Sequence, residues 1–174
     1  MKMTQLMIIG CTTLGALTGA SGANAADVVS INVTGNIIAS PCEIKSDSTN
    51  IAVDLGQNIQ ATDLLHPGDA SPWVPLDVNL INCPAATTKA TIIFQGTADS
   101  VNPADMYRNT GTATNLAVQL QGAGGQPFGN GQSFTGTIVN NAYSYHLRAR
   151  AFTQNGNVTP GTITSVVTAT FTYQ

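Results

Sequence analysis

Few side chains in this sequence are of the types that carry out catalysis. His66 and His146 are its two histidines. A Ser-His-Asp set needs a nucleophilic serine, and the G-x-S-x-G sequence that presents one on a sharp turn is absent. His146 alternates with Tyr145 and Leu147 along an apolar run, which predicts a solvated position on the opposite face of a strand. The sequence therefore predicts no catalytic residues and no enzyme.

The three cysteines are the next candidates for chemistry. Cys42 and Cys83 are not spaced from the histidines as zinc ligands are, and no C-x-x-C redox motif is present. We therefore expect no metal site and no cofactor. Two cysteines in an exported chain instead indicate one structural disulfide between Cys42 and Cys83.

Export is predicted from residues 1–25. They have an early cation, an apolar stretch and a final Ala23-Asn24-Ala25, as in a cleaved signal peptide. Cleavage there would remove the third cysteine, Cys11. The alternative is a lipoprotein cleavage site at Ile8-Ile9-Gly10-Cys11, but the apolar region before it is shorter than such signals have.

Trp73, Arg148 and Arg150 are the remaining candidates for binding. Trp73 lies between two prolines, where it could stack on a sugar or, more commonly, pack at the edge of a sandwich. Arg148 and Arg150 share one face of a strand, so they could contact a partner or be solvated. The sequence leaves both alternatives open.

Composition and charge limit the classes of partner. The chain has six Lys and Arg against nine Asp and Glu, a formal net charge of −3, with no basic cluster. Nucleic-acid binding has no electrostatic basis here, and no polybasic stretch indicates an anionic membrane surface. Nothing indicates a small-molecule substrate.

Short runs of alternating apolar residues recur between Gly-, Pro- and Asn-rich turns, which is typical of an all-β sandwich. Two short helical turns are predicted, near residues 58–65 and 103–106. The alternating runs are Ile51-Val53-Leu55, Leu76-Val78-Leu80, Ala90-Ile92-Phe94, Leu116-Val118-Leu120, Tyr143-Tyr145-Leu147-Ala149 and residues 161–174.

The two ends of the chain both look like strands without partners. Residues 161–174 predict a long strand whose inward face carries Ile163, Ser165, Val167, Ala169, Phe171 and Tyr173. No hairpin partner follows it. Near the other end, an alternating segment has no turn that folds it back onto the next strand. This spare N-terminal strand comprises Val29, Ile31, Val33, Gly35 and Ile37. A chain built in this way is suited to completing a neighbour and being completed in turn.

These ends and the cysteines resemble those of chaperone–usher pilin subunits. Such subunits carry a Gly fourteenth from the C-terminus and a penultimate aromatic residue, which here are Gly161 and Tyr173. The matching internal segments are Ser40-Pro41-Cys42, Asn82-Cys83-Pro84 and the Asn-x-Gly-Thr-Ala stretch at 109–113. Residues 70–73 and 147–151 are most similar to minor tip adaptor subunits of type 1 fimbriae, of the G type.

The resemblance implies an incomplete immunoglobulin-like sandwich that lacks its C-terminal strand and is completed by a donor strand from another chain. It divides the chain into a signal peptide (1–25), a donor extension (26–38) and a pilin domain (39–174). Gly161, Val167, Ala169, Phe171 and Tyr173 would belong to the acceptor groove and the C-terminal assembly motif. The implied partners are a periplasmic chaperone, an outer-membrane usher and neighbouring subunits, and the implied location is the extracellular fimbrium.

The alternative function is a carbohydrate-binding adhesin module. In this family the adhesins have a separate receptor-binding domain and lack the spare N-terminal strand, so the resemblance favours a structural subunit. The place of the subunit within the filament is not predicted from the sequence beyond the likeness to adaptors.

Overall fold

The computed structural model describes residues 29–174, which fall into two units: residues up to Gly35, and Asn36–Gln174. The predicted signal peptide and Cys11 lie outside the described residues. In the first unit, Val29, Ile31 and Val33 are 79–88% exposed. No helix in the described range is long and apolar enough to cross a membrane.

The second unit consists of two antiparallel sheets, as the sequence predicts. The strands are β1 (Glu43–Ile44), β2 (Val74–Ile81), β3 (Lys89–Gly96), β4 (Met106–Arg108), β5 (Ala117–Gly122), β6 (Ser133–Thr137), β7 (Tyr143–Phe152) and β8 (Val167–Tyr173). One sheet has the order β1-β2-β7-β5-β4 and the other β6-β3-β8. Two short 3₁₀ helices span Ser46–Ser48 and Ala61–Leu64. The second helix confirms the turn predicted near 58–65, whereas residues 103–105 form a turn that leads into β4.

The core lies between the inner faces of the two sheets. Leu80, Ile92 and Phe94 are at most 2% exposed. Two tyrosines cross this core with satisfied hydroxyls: Tyr107 donates to the Phe128 carbonyl at 2.9 Å and Tyr145 to the Ala90 carbonyl at 2.7 Å. Burial raises the pKa of both phenols. Hydrogen bonding is what makes such buried polar atoms tolerable in an apolar core.

The predicted disulfide is confirmed. Cys42 and Cys83 are bonded, with their Cα atoms 4.2 Å apart, and both are buried. Cys42 directly precedes β1 and Cys83 follows β2, so the bond ties the start of the sandwich to the end of its second strand. It closes a loop with a sequence separation of 41, for which the chain-entropy model gives about 4 kcal/mol of stabilisation.

Two predicted strands are wrong in part. Residues 51–55 form no strand, and the C-terminal strand begins at Val167 rather than near Gly161. Both segments nevertheless keep alternating exposure, with Ile51, Val53 and Leu55 half-buried and the residues between them exposed. Alternation predicts which face is inward, but a strand also needs a hydrogen-bonded neighbour. In the described chain residues 51–55 have no such neighbour, and residues 162–164 bond to residues 109–113 without forming a regular ladder.

Candidate functional site

An open groove separates the two segments that alternate in exposure without forming strands. It has a volume of about 1100 Å³, and its walls are residues 51–61 on one side and 158–167 on the other. The floor consists of apolar side chains from the five-stranded sheet and its connections: Leu64, Leu76, Ala113, Leu116, Val118, Leu120 and Ala149. The groove therefore opens onto the inner face of the sandwich, where Leu76, Leu116 and Val118 are half-buried.

The wall of residues 158–167 leads into β8, whose outer edge has no neighbour in the described chain. Lys89 and Gln174 exchange both of their backbone hydrogen bonds, each at 2.9 Å. In an antiparallel pair, hydrogen-bonded positions recur at every second residue, so Thr168, Thr170 and Thr172 bond to β3. The alternate positions direct their backbone groups away from β3, towards the open side. We call these four the edge residues: Val167, Ala169, Phe171 and Tyr173.

The edge residues have their side chains on the inner face, as the sequence predicts. All four are half-buried and pack against the core cluster. Phe171 has its ring 6.0 Å from that of Tyr145 and 6.4 Å from that of Tyr173. Burial raises the pKa of Tyr173. Each edge residue thus combines an apolar side chain on the core with backbone groups that have no hydrogen-bond partner in the described chain.

The stretch before β8 is fixed to residues 109–113. Thr110 N donates to Thr164 O at 2.8 Å, and Thr164 N donates to the Asn109 side-chain oxygen at 2.7 Å. Gly161 lies directly against this segment. A Cβ at Gly161 would lie 2.7 Å from the Thr112 carbonyl carbon and closer still to Ala113 N. The predicted glycine is therefore required by close approach of two backbones.

The opposite wall has little internal bonding over residues 51–57. No backbone group of residues 51–55 has a hydrogen-bond partner in the described chain. The Asp54 carboxylate accepts from Gly56 N at 2.9 Å and from the Gln57 side chain at 2.8 Å. These hydrogen bonds, that of Gly56 first, lower the pKa of Asp54. The turn is fixed locally, and the extended stretch before it has no partner.

The structure brings some of the predicted site residues to the groove and leaves others apart. Gly161 and Val167 line the cavity, whereas Ala169, Phe171 and Tyr173 continue along the same strand beyond it. The predicted donor residues are exposed: Ile37 is 99% exposed, and a Cβ on Gly35 would meet nothing within 4 Å. Their role stays a prediction.

The sequence missed most of the groove. Its pattern predicts an ordinary strand at residues 51–55 and does not distinguish Leu116, Val118 and Val158 as residues of the site. The usable signal was the alternation of Ile51, Val53 and Leu55, which predicted their inward face. What it could not reveal was that this stretch stays unpaired beside the terminal strand.

The histidines and the binding candidates lie outside the groove. His66 contacts Asp69, and His146 has its Nδ1 atom 2.7 Å from Asp77 on an exposed face. In the described range no group of His, Cys, Asp and Glu is arranged to hold a metal ion. Trp73 contacts both Arg148 and Arg150.

Two antiparallel sheets with an open groove between unpaired edges define an incomplete immunoglobulin-like sandwich. Residues 31–174 match the family model described as Fimbrial protein. The chain is 39% identical to protein FimG of Escherichia coli, over 86% of each sequence. It is 38% identical to the S-fimbrial adhesin protein SfaS of Escherichia coli, over 82% of this chain and 83% of that one.

Solved structures agree with this fold. The P pilus rod subunit PapA superposes with a TM-score of 0.66, covering 78% of this chain and all of PapA at 24% identity. The chain belongs to the fimbrial protein family, as a subunit of the chaperone–usher class.

Proposed function

We propose that this chain is a minor tip adaptor of a fimbria, which joins its neighbours by donor-strand complementation. A strand from one neighbour fills its groove, and its own N-terminal extension fills the groove of another subunit. The observation that carries this proposal is the groove itself, with its apolar floor and with the backbone groups of residues 51–55 and of the edge residues that have no partner in the described chain.

The groove has the chemistry of a strand acceptor. The edge residues offer backbone donors and acceptors, and residues 51–55 offer more across the cavity. An inserted strand would pair with these groups while its alternate side chains cover Leu76, Leu120 and Ala149 on the floor. Main-chain bonds would supply affinity, and the apolar side chains would supply specificity.

The extension has the chemistry of the inserted strand. Val29, Ile31, Val33 and Ile37 are 79–99% exposed, which is unusual for aliphatic side chains in one short segment. Burying all four would stabilise a neighbour by roughly 6–12 kcal/mol at most, at about 1.5–3 kcal/mol each. Ordering the extension costs about 1–2 kcal/mol per residue, which ladder bonds offset in part. Gly35 would let the two backbones approach closely where the groove is shallow.

The contact between subunits is heterologous, because the extension and the groove are different surfaces. Repetition of such a contact produces a filament rather than a closed dimer. An unfilled groove exposes apolar core, so a periplasmic chaperone would cover it until exchange at the outer-membrane usher. We expect a structural role without a catalytic step, in a fimbrium on the cell surface. The place at the tip rests on the likeness to FimG.

A strand-exchange assay tests this function. The oxidised mature chain is mixed with synthetic peptides that copy the N-terminal extensions of subunits from the same fimbria, including its own residues 26–38. We expect at least one peptide to bind with very slow dissociation and to raise the melting temperature by tens of degrees. If no extension peptide binds, while the chain is folded and its disulfide intact, the proposal is wrong.

The position in the filament needs a separate test. Immunogold labelling of fimbriae should place the subunit near the tip, and labelling along the whole shaft would contradict the adaptor role.

A further inference from the structure

Trp73, Arg148 and Arg150 form a cluster on the outer face of the five-stranded sheet. The guanidinium carbons lie 4.3 Å (Arg148) and 4.2 Å (Arg150) from the centroid of the Trp73 ring. The residues that alternate with the arginines on β7, Leu147 and Ala149, are buried. Ala149 forms part of the groove floor, so the cluster lies on the opposite face of this strand from the groove.

A buried carboxylate holds the arginines in place through two glutamines. Asp105, 6% exposed, accepts hydrogen bonds from the amide groups of Gln119 and Gln121, each at 2.6 Å. This fixes which way both amides point. Their oxygens then accept from Arg150 Nε at 2.7 Å and from Arg148 Nη2 at 3.0 Å. The guanidinium groups are therefore positioned before any ligand arrives.

The two arginines have hydrogen-bonding capacity that the protein does not use. In the described chain neither forms an ion pair with a carboxylate. The Nε atom of Arg148 is buried and has no hydrogen-bond partner. Burial first, and then the neighbouring Arg148, lower the pKa of Arg150. Two adjacent cations are thus held together, in a chain of net charge −3, without a compensating acid in direct contact.

The surroundings of the arginines narrow the class of ligand. Carboxylate and sulfate groups match the planar donors of a guanidinium, which bind them in a bidentate manner. Beside these donors, the half-buried Trp73 and the exposed Pro72 and Pro75 provide a rigid apolar edge. Such an edge can pack against the apolar side of a sugar ring, a contact that aromatic side chains commonly make.

We propose that the Trp73–Arg148–Arg150 cluster is a binding site for acidic sugars, those that carry a carboxylate or a sulfate. The acid group contacts the two guanidinium groups, and the sugar ring packs along Pro72 and Trp73. Because the site is on the outer face, it stays accessible when the groove is filled. It therefore does not depend on the strand-exchange function.

Fluorescence of Trp73 tests the site directly, because it is the chain's one tryptophan. The oxidised mature chain is titrated with sialyllactose, a sulfated heparin disaccharide, neutral lactose, sodium sulfate and hexaglutamate. Titrations are run with and without a tryptophan-free donor peptide, so the test remains valid even if no peptide binds in the groove. We expect a saturable change with at least one acidic sugar and none with lactose.

Matched variants locate the binding. Arg150→Gln should weaken the acidic sugar at least about tenfold, as loss of a charge-assisted contact does, and Arg150→Lys should restore part of the affinity. Lys89→Gln removes one exposed cation from the other sheet and should change nothing. Thermal unfolding of each variant confirms its fold.

Several outcomes would overturn the proposal. The proposal is wrong if neither acidic sugar gives a saturable response, or if lactose gives an equal response. It is also wrong if Lys89→Gln weakens binding as much as Arg150→Gln does, or if sulfate or hexaglutamate binds as tightly as the sugars. The last result would show a site for anions in general, without recognition of the sugar ring.

Discussion

Replacing Gly161 with alanine tests how the groove wall is held. Alanine in place of glycine ordinarily stabilises a protein by about 0.4–1 kcal/mol where the backbone accepts it, because the unfolded chain loses freedom. At Gly161 the added Cβ would lie 2.7 Å from the Thr112 carbonyl carbon and nearer still to Ala113 N. Both contacts are with backbone atoms, which cannot rotate away as a flexible side chain can. We therefore expect Gly161→Ala to destabilise the subunit.

The magnitude follows from the hydrogen bonds that must lengthen. Several join the segments on either side of the contact, and three of these are Thr110 N to Thr164 O at 2.8 Å, Ala113 N to Thr162 O at 3.1 Å, and Thr164 N to Asn109 Oδ1 at 2.7 Å. At about 0.5–1.5 kcal/mol each, their loss would destabilise the subunit by about 2–4 kcal/mol. For a domain of this size the melting temperature should fall by about 5–15 °C.

The assay is thermal unfolding of the oxidised mature chain, together with the dissociation rate of a bound donor peptide. Gly161→Ala should lower the melting temperature and speed peptide release, because the displaced wall carries part of the pairing edge. Gly35→Ala is the matched control, since its Cβ would meet nothing within 4 Å. It should leave the subunit's own stability unchanged and impair only insertion into a neighbour. An unchanged or raised melting temperature for Gly161→Ala would refute the reasoning.

Three further changes separate the parts of the molecule. Phe171→Asp would place an unpaired charge beside Tyr145, so the subunit should no longer co-purify with the chaperone or enter fibres. Unchanged co-purification would contradict the inward orientation of the Phe171 side chain. The Cys42→Ser, Cys83→Ser double variant should accumulate poorly in the periplasm and fail to bind chaperone, as measured by pull-down, and wild-type affinity would count against this. Deletion of residues 27–37 should leave folding and peptide acceptance intact but abolish completion of a preceding subunit. A deletion variant that still displaces chaperone from that subunit would overturn the donor role.

The longer strands could be predicted from the sequence because their burial depends on alternation alone. Leu76-Val78-Leu80 and Ala90-Ile92-Phe94 lie within β2 and β3, with their side chains on the inner face. Shorter strands escaped prediction. β4 has three residues, and β6 has Phe134 as its one large apolar side chain, so neither has a periodic signal.

The sequence predicts a groove along the C-terminal strand but does not predict which other residues line it. The apolar pattern of the C-terminal strand predicted the facing of Val167 and Phe171, since facing is a local property. Residues 51–55 have no backbone partner in the described chain, and alternation does not report whether a segment pairs. The contact of Trp73 with the arginines likewise depends on the β2–β7 register, in which Pro75 lies opposite Arg148. That register is a property of the assembled sheet.

Hydrogen exchange of single amides along β8 tests the central claim most directly. In the free subunit the amides of the edge residues face the open groove side and should exchange fast, whereas those of Thr168, Thr170 and Thr172 bond to β3 and should be protected. A bound donor peptide should protect the edge residues strongly and leave the threonines as they were. The account is contradicted if the edge amides are already protected in the free subunit, or if they stay unprotected when an extension peptide is bound.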